Sequence, residues 1–240
     1  MDKFLTGKTA IVTGGTRGIG RKIAEALVDA GARVAICGRD AGTVRQAVSE
    51  LNSRGGGEAT GEAADIAQWD EVARFFESVG AQFGGLDVLI NNAGIGVFRP
   101  VGQLTVEDWQ RTIGLNLSGV FYCCTAALPL MKQRGGGYII QISSLAGRNT
   151  FPGGAAYNAS KFGLNGFSEA MMQDIRYDDV RVSEIMPGSV ATGFTAAGAA
   201  EEEWRIAPED IAEVVLSLLR MPVRTLVSRV EMRPSKPRKG

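Results

Sequence analysis

Short runs of apolar residues alternate along the chain with longer segments whose apolar positions recur every three or four residues. The runs at 9–13, 33–37, 58–64, 86–91, 138–143, 180–186 and 226–232 read as seven strands. The segments near 18–30, 41–52, 69–83, 105–134, 154–176 and 208–220 read as helices. Strands that are apolar on both faces need cover on both faces, and a helix between each pair provides it. The pattern therefore predicts an α/β fold: one doubly wound domain over residues 1–240, with a seven-stranded parallel sheet flanked by helices. Gly31 suits the position just past the first helix, and Pro208-Glu209-Asp210 suits a helix start, where proline needs no N–H partner and acids complement the dipole. No polar linker or internal repeat divides the chain. The Gly/Ala-rich stretch 189–200 lacks a period, and a loop at about 189–206 is expected to serve the substrate.

Composition narrows the partners. Twenty-six basic residues balance 26 acidic ones, so no summed charge draws the chain to nucleic acid or to an anionic membrane. No uninterrupted apolar run is long enough for a membrane span, and the first strand begins too early for a signal peptide to precede it. Cys37, Cys123 and Cys124 are odd in number and lack metal-ligand spacing, which points to reduced thiols, a cytoplasmic setting and no metal site. Histidine is absent, so proton chemistry must use Tyr, Lys, Asp, Glu, Cys or a bound cofactor.

The first chemical signal is TAIVTGGTRGIGRKIAEAL, an apolar run, a glycine-rich turn and a helix. Such a turn lets backbone N–H groups approach a phosphate, and the helix N-terminus adds partial positive charge. Gly14, Gly18 and Gly20 are spaced T-G-x-x-x-G-x-G. Further along stand Asp65 after the third strand, N-N-A-G at 91–94 after the fourth, Asn116 in GLNLSG, Ser144 in QISSLAG, Y-N-A-S-K at 157–161, and PGSVAT at 187–192. Each alone reads equally well as a turn, a cap or a solvated pair. In this order, on one predicted fold, they resemble the short-chain dehydrogenase/reductase family in its shorter, single-domain branch, over nearly the whole chain.

The resemblance implies a Rossmann-type fold and a nicotinamide dinucleotide as cofactor. It implies that Gly14, Thr16, Arg17, Gly18, Ile19 and Gly20 hold the diphosphate end, that Gly38 and Arg39 stand at the adenosine ribose, and that Asp65 and Ile66 meet the adenine. Asn92, Ala93 and Gly94 admit the ribose, Asn91 holds the sheet centre, and Pro187, Gly188, Val190 and Thr192 meet the nicotinamide. Tyr157, Lys161, Ser144 and Asn116 become the catalytic set. Tyr157 and Lys161 lie one helical turn apart, so an ammonium can favour the phenolate of a tyrosine whose ordinary pKa is about 10. In the family, Lys161 would also hold the nicotinamide ribose, Ser144 the substrate oxygen, and Asn116 a water that relays protons.

The expected function is an NADP(H)-dependent oxidoreductase acting on a ketone or secondary alcohol, possible carbonyls including 3-oxoacyl thioesters. The alternatives are an epimerase or dehydratase of the wider superfamily, whose longer substrate domain is missing, and a non-catalytic cofactor-binding regulator. NADP(H) is expected over NAD(H) because Gly38 stands where an NAD-selective site has a carboxylate, and Arg39 and Arg17 lie beside it. Ile95, Val97, Ala146, Phe151, Phe194 and Trp204 are the candidate substrate contacts, lying mostly in the loops after the fourth to sixth strands. Small residues at Ala156, Ala159, Gly163, Gly166 and Ala170 suit close helix packing, so a homodimer or homotetramer is expected.

Overall fold

The structure is a computed structural model that describes residues 2–194 and 204–237. Seven parallel strands form one sheet: β1 (Thr9–Thr13), β2 (Arg33–Gly38), β3 (Glu58–Ala63), β4 (Val88–Asn91), β5 (Gly137–Ile142), β6 (Val180–Pro187) and β7 (Arg229–Met232). Their order is β3-β2-β1-β4-β5-β6-β7. The chain winds outward from β1 to β3, returns to the centre at β4, and winds the other way. The carboxyl ends of β1 and β4 therefore part at a switch point, where open sheets of this kind bind ligands.

Alternate residues of each strand feed two cores. Val12, Val34, Ile36, Ile90 and Ile140 pack with Ile23, Leu27 and Val28 of α1 (Gly18–Asp29), Val44 and Leu51 of α2 (Ala41–Asn52), and Ile211 and Val215 of α7 (Pro208–Arg220). Ile11, Ala35, Leu89 and Ile139 face the other way, onto Phe75, Phe76 and Val79 of α3 (Trp69–Phe83), Cys123, Cys124 and Met131 of α5 (Gly119–Gln133), and Leu164 and Met171 of α6 (Ala155–Ile175). The fold class agrees with the sequence reading.

Three elements depart from it by more than one residue. The helix expected over 105–134 is α4 (Val106–Ile113), a five-residue π segment Gly114–Ser118, and α5. β4 starts at Val88, because the Leu86 N–H bonds the Leu130 carbonyl (3.2 Å) and not the neighbouring strand. β7 is four residues instead of seven, because the Val227 carbonyl accepts from the Ser183 hydroxyl (2.6 Å) and the pairing with β6 begins only at Arg229. The expected substrate loop lies in large part outside the described residues, at 195–203. Its base is closed by a bridge between Val190 and Ile206. By length and composition the span Val106–Gln133 could also cross a membrane, yet Cys123, Cys124, Ala127 and Met131 turn one face of it into the core.

Candidate active site

At the switch point, the turn after β1 is formed so that backbone occupies space a side chain would need. Gly14 has φ 65°, and a Cβ there would sit 3.0 Å from the Cα of Ala93. At Gly20 a Cβ would fall 2.3 Å from the Asn92 amide nitrogen and 2.4 Å from the Gly14 carbonyl. Asn92 staples the turn to β4: its side-chain N–H groups reach the carbonyls of Thr13 (3.0 Å) and Gly14 (3.2 Å). The Thr13 hydroxyl accepts from the N–H groups of Asn92 (3.0 Å) and Ala93 (3.1 Å). Arg17 precedes α1 without a side-chain cap, which leaves the first-turn N–H groups available to an anion. Thr192 lies over Gly18, 3.6 Å from where its Cβ would be, bringing the loop after β6 onto the cradle. This surround fits a dinucleotide diphosphate.

At the end of β2, Gly38 lies against Thr16 of the same turn, so Arg17 and Arg39 flank one corner. Both are exposed, and among the described residues neither has an ion-pair partner. Asp40 is committed elsewhere: it caps α2 by accepting from the Thr43 N–H at 2.7 Å, which holds its carboxyl below the ordinary range. Asp65 spends one oxygen on the Ala67 N–H (3.0 Å). Ile66 is buried in one core, and Ile19 is half-buried against the other.

Ser144, Tyr157 and Lys161 come together where β5 ends. Ser144 accepts from the Ala146 N–H (3.1 Å), and its side chain stands beside the Tyr157 phenol. Lys161 is 5% exposed; its ammonium donates to the Ile142 carbonyl (2.9 Å) and lies 5.9 Å from the centre of the Tyr157 ring. Burial lowers the Lys161 pKa to about 8. Burial also raises that of Tyr157, opposed by the Ser144 hydrogen bond. The expectation that Lys161 pulls the phenol down is not met by the protein alone: burial outweighs the neighbours, and the tyrosine is kept protonated. Deeply buried in the π segment, the Asn116 side chain accepts from the Ile95 N–H (2.9 Å) and donates to the Ile95 carbonyl (2.9 Å) and the Ser160 hydroxyl (3.1 Å).

Residues the sequence reading passed over position this set. The amide of Asn158 donates to the carbonyls of Ala146 (2.6 Å) and Asn149 (3.0 Å), and Asn165 accepts from Ser143 (2.6 Å) and donates to Gly147 (3.1 Å). Together they clamp the loop carrying Ser144 onto α6. Phe98 was also passed over: its ring stands edge-on to Tyr157 with centres 5.5 Å apart. Of the candidate substrate contacts, Phe194 packs on Tyr157 (5.8 Å) and Phe151 on Phe98 (5.7 Å). Ile95 and Val97 precede Phe98 on the same loop, and Ala146 lies beside Ser144. Trp204 instead stacks under the Arg205 guanidinium, 5.4 Å away. In the sequence, only the glycine-spaced apolar run GIGVF pointed toward Phe98.

Residues 8–203 match the short chain dehydrogenase family. Among relatives, a 3-oxoacyl-[acyl-carrier-protein] reductase of Synechocystis is 39% identical over 191 residues, covering 80% of this chain and 77% of its own. A metagenomic short-chain oxidoreductase in complex with NADP superposes with a TM-score of 0.85 at 39% identity, over 97% of this chain and 99% of that one. An alcohol dehydrogenase from the archaeon Thermococcus sibiricus, complexed with 5-hydroxy-NADP, superposes with a TM-score of 0.89 at 30% identity, over the same shares. With its glycine turn, its switch-point crevice and these likenesses along most of its length, the chain belongs to the short-chain dehydrogenase/reductase family of oxidoreductases.

Proposed function

We propose that the protein is an NADP(H)-dependent oxidoreductase that interconverts a ketone and a secondary alcohol. The observation that carries the reading is the convergence of Ser144, Tyr157 and the buried Lys161 where β5 ends, across β4 from the glycine turn that follows β1. When bound, the dinucleotide supplies or takes the hydride. Ser144 and the Tyr157 hydroxyl hold the carbonyl oxygen between them. Tyr157, kept protonated by burial, gives its proton to that oxygen as negative charge develops there and takes it back in the reverse direction. Lys161, with a pKa of about 8, exchanges protons near neutral pH and can recharge Tyr157. Asn116 acts by position, fixing the loop after β4 to α6 through Ile95 and Ser160.

The backbone of Gly14, Thr16, Gly18, Ile19 and Gly20 would hold the diphosphate, and Asp65 with Ile66 the adenine. Asn92, Ala93 and Gly94 would border the nicotinamide ribose beside Tyr157 and Lys161, and Pro187, Gly188, Val190 and Thr192 the nicotinamide. The NADP(H) preference is supported by the exposed Arg17 and Arg39 near Gly38, which have no ion-pair partner among the described residues, and by the two relatives solved with NADP-type ligands. The 3-oxoacyl-[acyl-carrier-protein] reductase relative supports the 3-oxo ketone of an acyl thioester as a rival substrate.

The test is turnover of purified protein with NADPH against ketones, thioesters and sugars, in wild type and Tyr157→Phe. A positioned general acid is worth about 10²–10⁴-fold. The phenylalanine variant should therefore lose at least 99% of kcat while binding NADPH as before. Near-normal turnover in that variant would sink the assignment.

A further inference from the structure

The phenol of Tyr157 is walled by rings. Phe98 stands after β4, Phe151 after β5 and Phe194 after β6, so three separate loops each place one phenylalanine at the same spot. The rings of Phe98 and Phe194 lie 5.5 and 5.8 Å from that of Tyr157, tilted by 72° and 57°, and Phe151 extends the wall behind Phe98. Phe98, Phe151 and Phe194 are 39%, 41% and 43% exposed, so none of the three is closed into the core.

The wall is built in. A Cβ at Gly96 would stand 2.5 Å from the tip of Phe98 and 2.8 Å from the edge of Phe194, and one at Gly154 would stand 2.7 Å from Phe151. Both rings over Gly96 thus occupy space that any larger residue there would take. The Arg99 N–H donates to the Gly153 carbonyl (2.8 Å), tying the Phe98 loop to the Phe151 loop, and the Arg99 guanidinium is spent on Asp108 (2.9 Å). Among the described residues, the hydroxyl groups of Ser144 and Tyr157 stand at this wall. A sugar would bring hydroxyls that find phenyl faces in place of partners, and each unpaired one is penalised. A flat ring would meet edges and faces at the offsets aromatic pairs prefer.

The geometry points to an aryl ketone, or the matching aryl carbinol, as the substrate class, with Phe98, Phe151 and Phe194 as the residues that select it. This rests on the carbonyl-reductase reading above. The test compares kcat/KM with NADPH for a phenyl ketone, a straight-chain ketone of equal carbon number, a 3-oxoacyl thioester and a keto sugar. Calorimetric binding of the phenyl carbinol in the presence of NADP+ is measured alongside. Wild type should favour the phenyl ketone over the sugar at least a hundredfold, and over the straight-chain ketone at least tenfold. Phe98→Ala should cut the phenyl to straight-chain ratio at least tenfold, mostly through KM, and weaken carbinol binding to match; Phe98→Trp should restore part of both. An equal fall for all substrates in Phe98→Ala, or a wild-type preference for the thioester or sugar, overturns the proposal. If nothing on the panel turns over yet carbinol binding still depends on Phe98, the reductase reading fails and the aryl site stands. If carbinol binding is indifferent to Phe98, the site falls as well.

Discussion

Lys161 is the residue whose position is hardest to justify by folding alone. Its ordinary pKa of 10.5 falls to about 8 in the folded protein. Below pH 8 the folded state must carry a buried charge, and the penalty, about 3 kcal/mol from the size of the shift, is present in full. Between pH 8 and 10.5 the unfolded chain keeps a proton that the folded one has released, so stability rises with pH across that window. Lys161→Met should remove the penalty at pH 7. It also leaves the Ile142 carbonyl without its donor, a loss of about 1 kcal/mol. The net expectation, about 2 kcal/mol, is a Tm higher by about 4–8 °C with turnover abolished, a stability gained at the expense of function. Calorimetry at pH 7 decides, and a Tm below wild type refutes it. The cofactor preference is argued at two further residues. Each arginine on a 2′-phosphate is worth about 1.5–3 kcal/mol, tenfold or more in affinity. Gly38→Asp with Arg39→Leu should therefore turn the kcat/KM ratio from NADPH toward NADH by at least a hundredfold. Gly38 has room for the change if Thr16 gives way slightly, its methyl being 3.1 Å from the added Cβ. A wild type that already favours NADH, or a ratio unmoved by the double change, would count against the assignment.

At the scale of elements, most strands and helices were legible because each carries its own period, and the bounds of α2, α3, α7 and β1 coincide with those read from the pattern. The π segment was not legible. One extra residue in a turn shifts the apolar phase too little to see over five positions, yet it is where Asn116 reaches Ile95 and Ser160. Nor were Thr13, Asn158, Asn165 and Phe98, because their partners lie on other elements: Thr13 and Asn92 are 79 residues apart, and Asn165 and Ser143 are 22. Periodicity reports which face of an element is buried, and says nothing of what a polar residue on it will meet. The outer faces of α4, α5 and α6 lead to a prediction of assembly. Val106, Trp109, Phe121 and Phe162 are exposed there, Phe121 packs edge-on to Phe167, and a Cβ at Gly166 would meet nothing, so another backbone could approach. A second copy pairing these helices would cover the strip. Light scattering should find a dimer or larger for wild type and a monomer for Phe121→Glu; a wild-type monomer at micromolar concentration contradicts this.

At the scale of the whole molecule, the candidate site residues among the described ones gather at one end of the sheet. Every strand is parallel, so every strand's carboxyl end and every loop with a candidate residue lies on the same side of the sheet. The opposite side and the interior are left to packing, and the three cysteines belong there. Cys37 sits beneath the glycine turn, and Cys123 and Cys124 face the sheet from α5; all three are fully enclosed. Burial pushes the thiols of Cys37 and Cys124 up to about 12 and that of Cys123 well above its ordinary value. An oxidant attacks thiolate, and the folded protein offers it almost none. Oxidative injury at these sulfurs thus has to wait for the sheet to open, and a sulfinic scar on Cys37 would be a record of how often, in the history of a given molecule, it had done so.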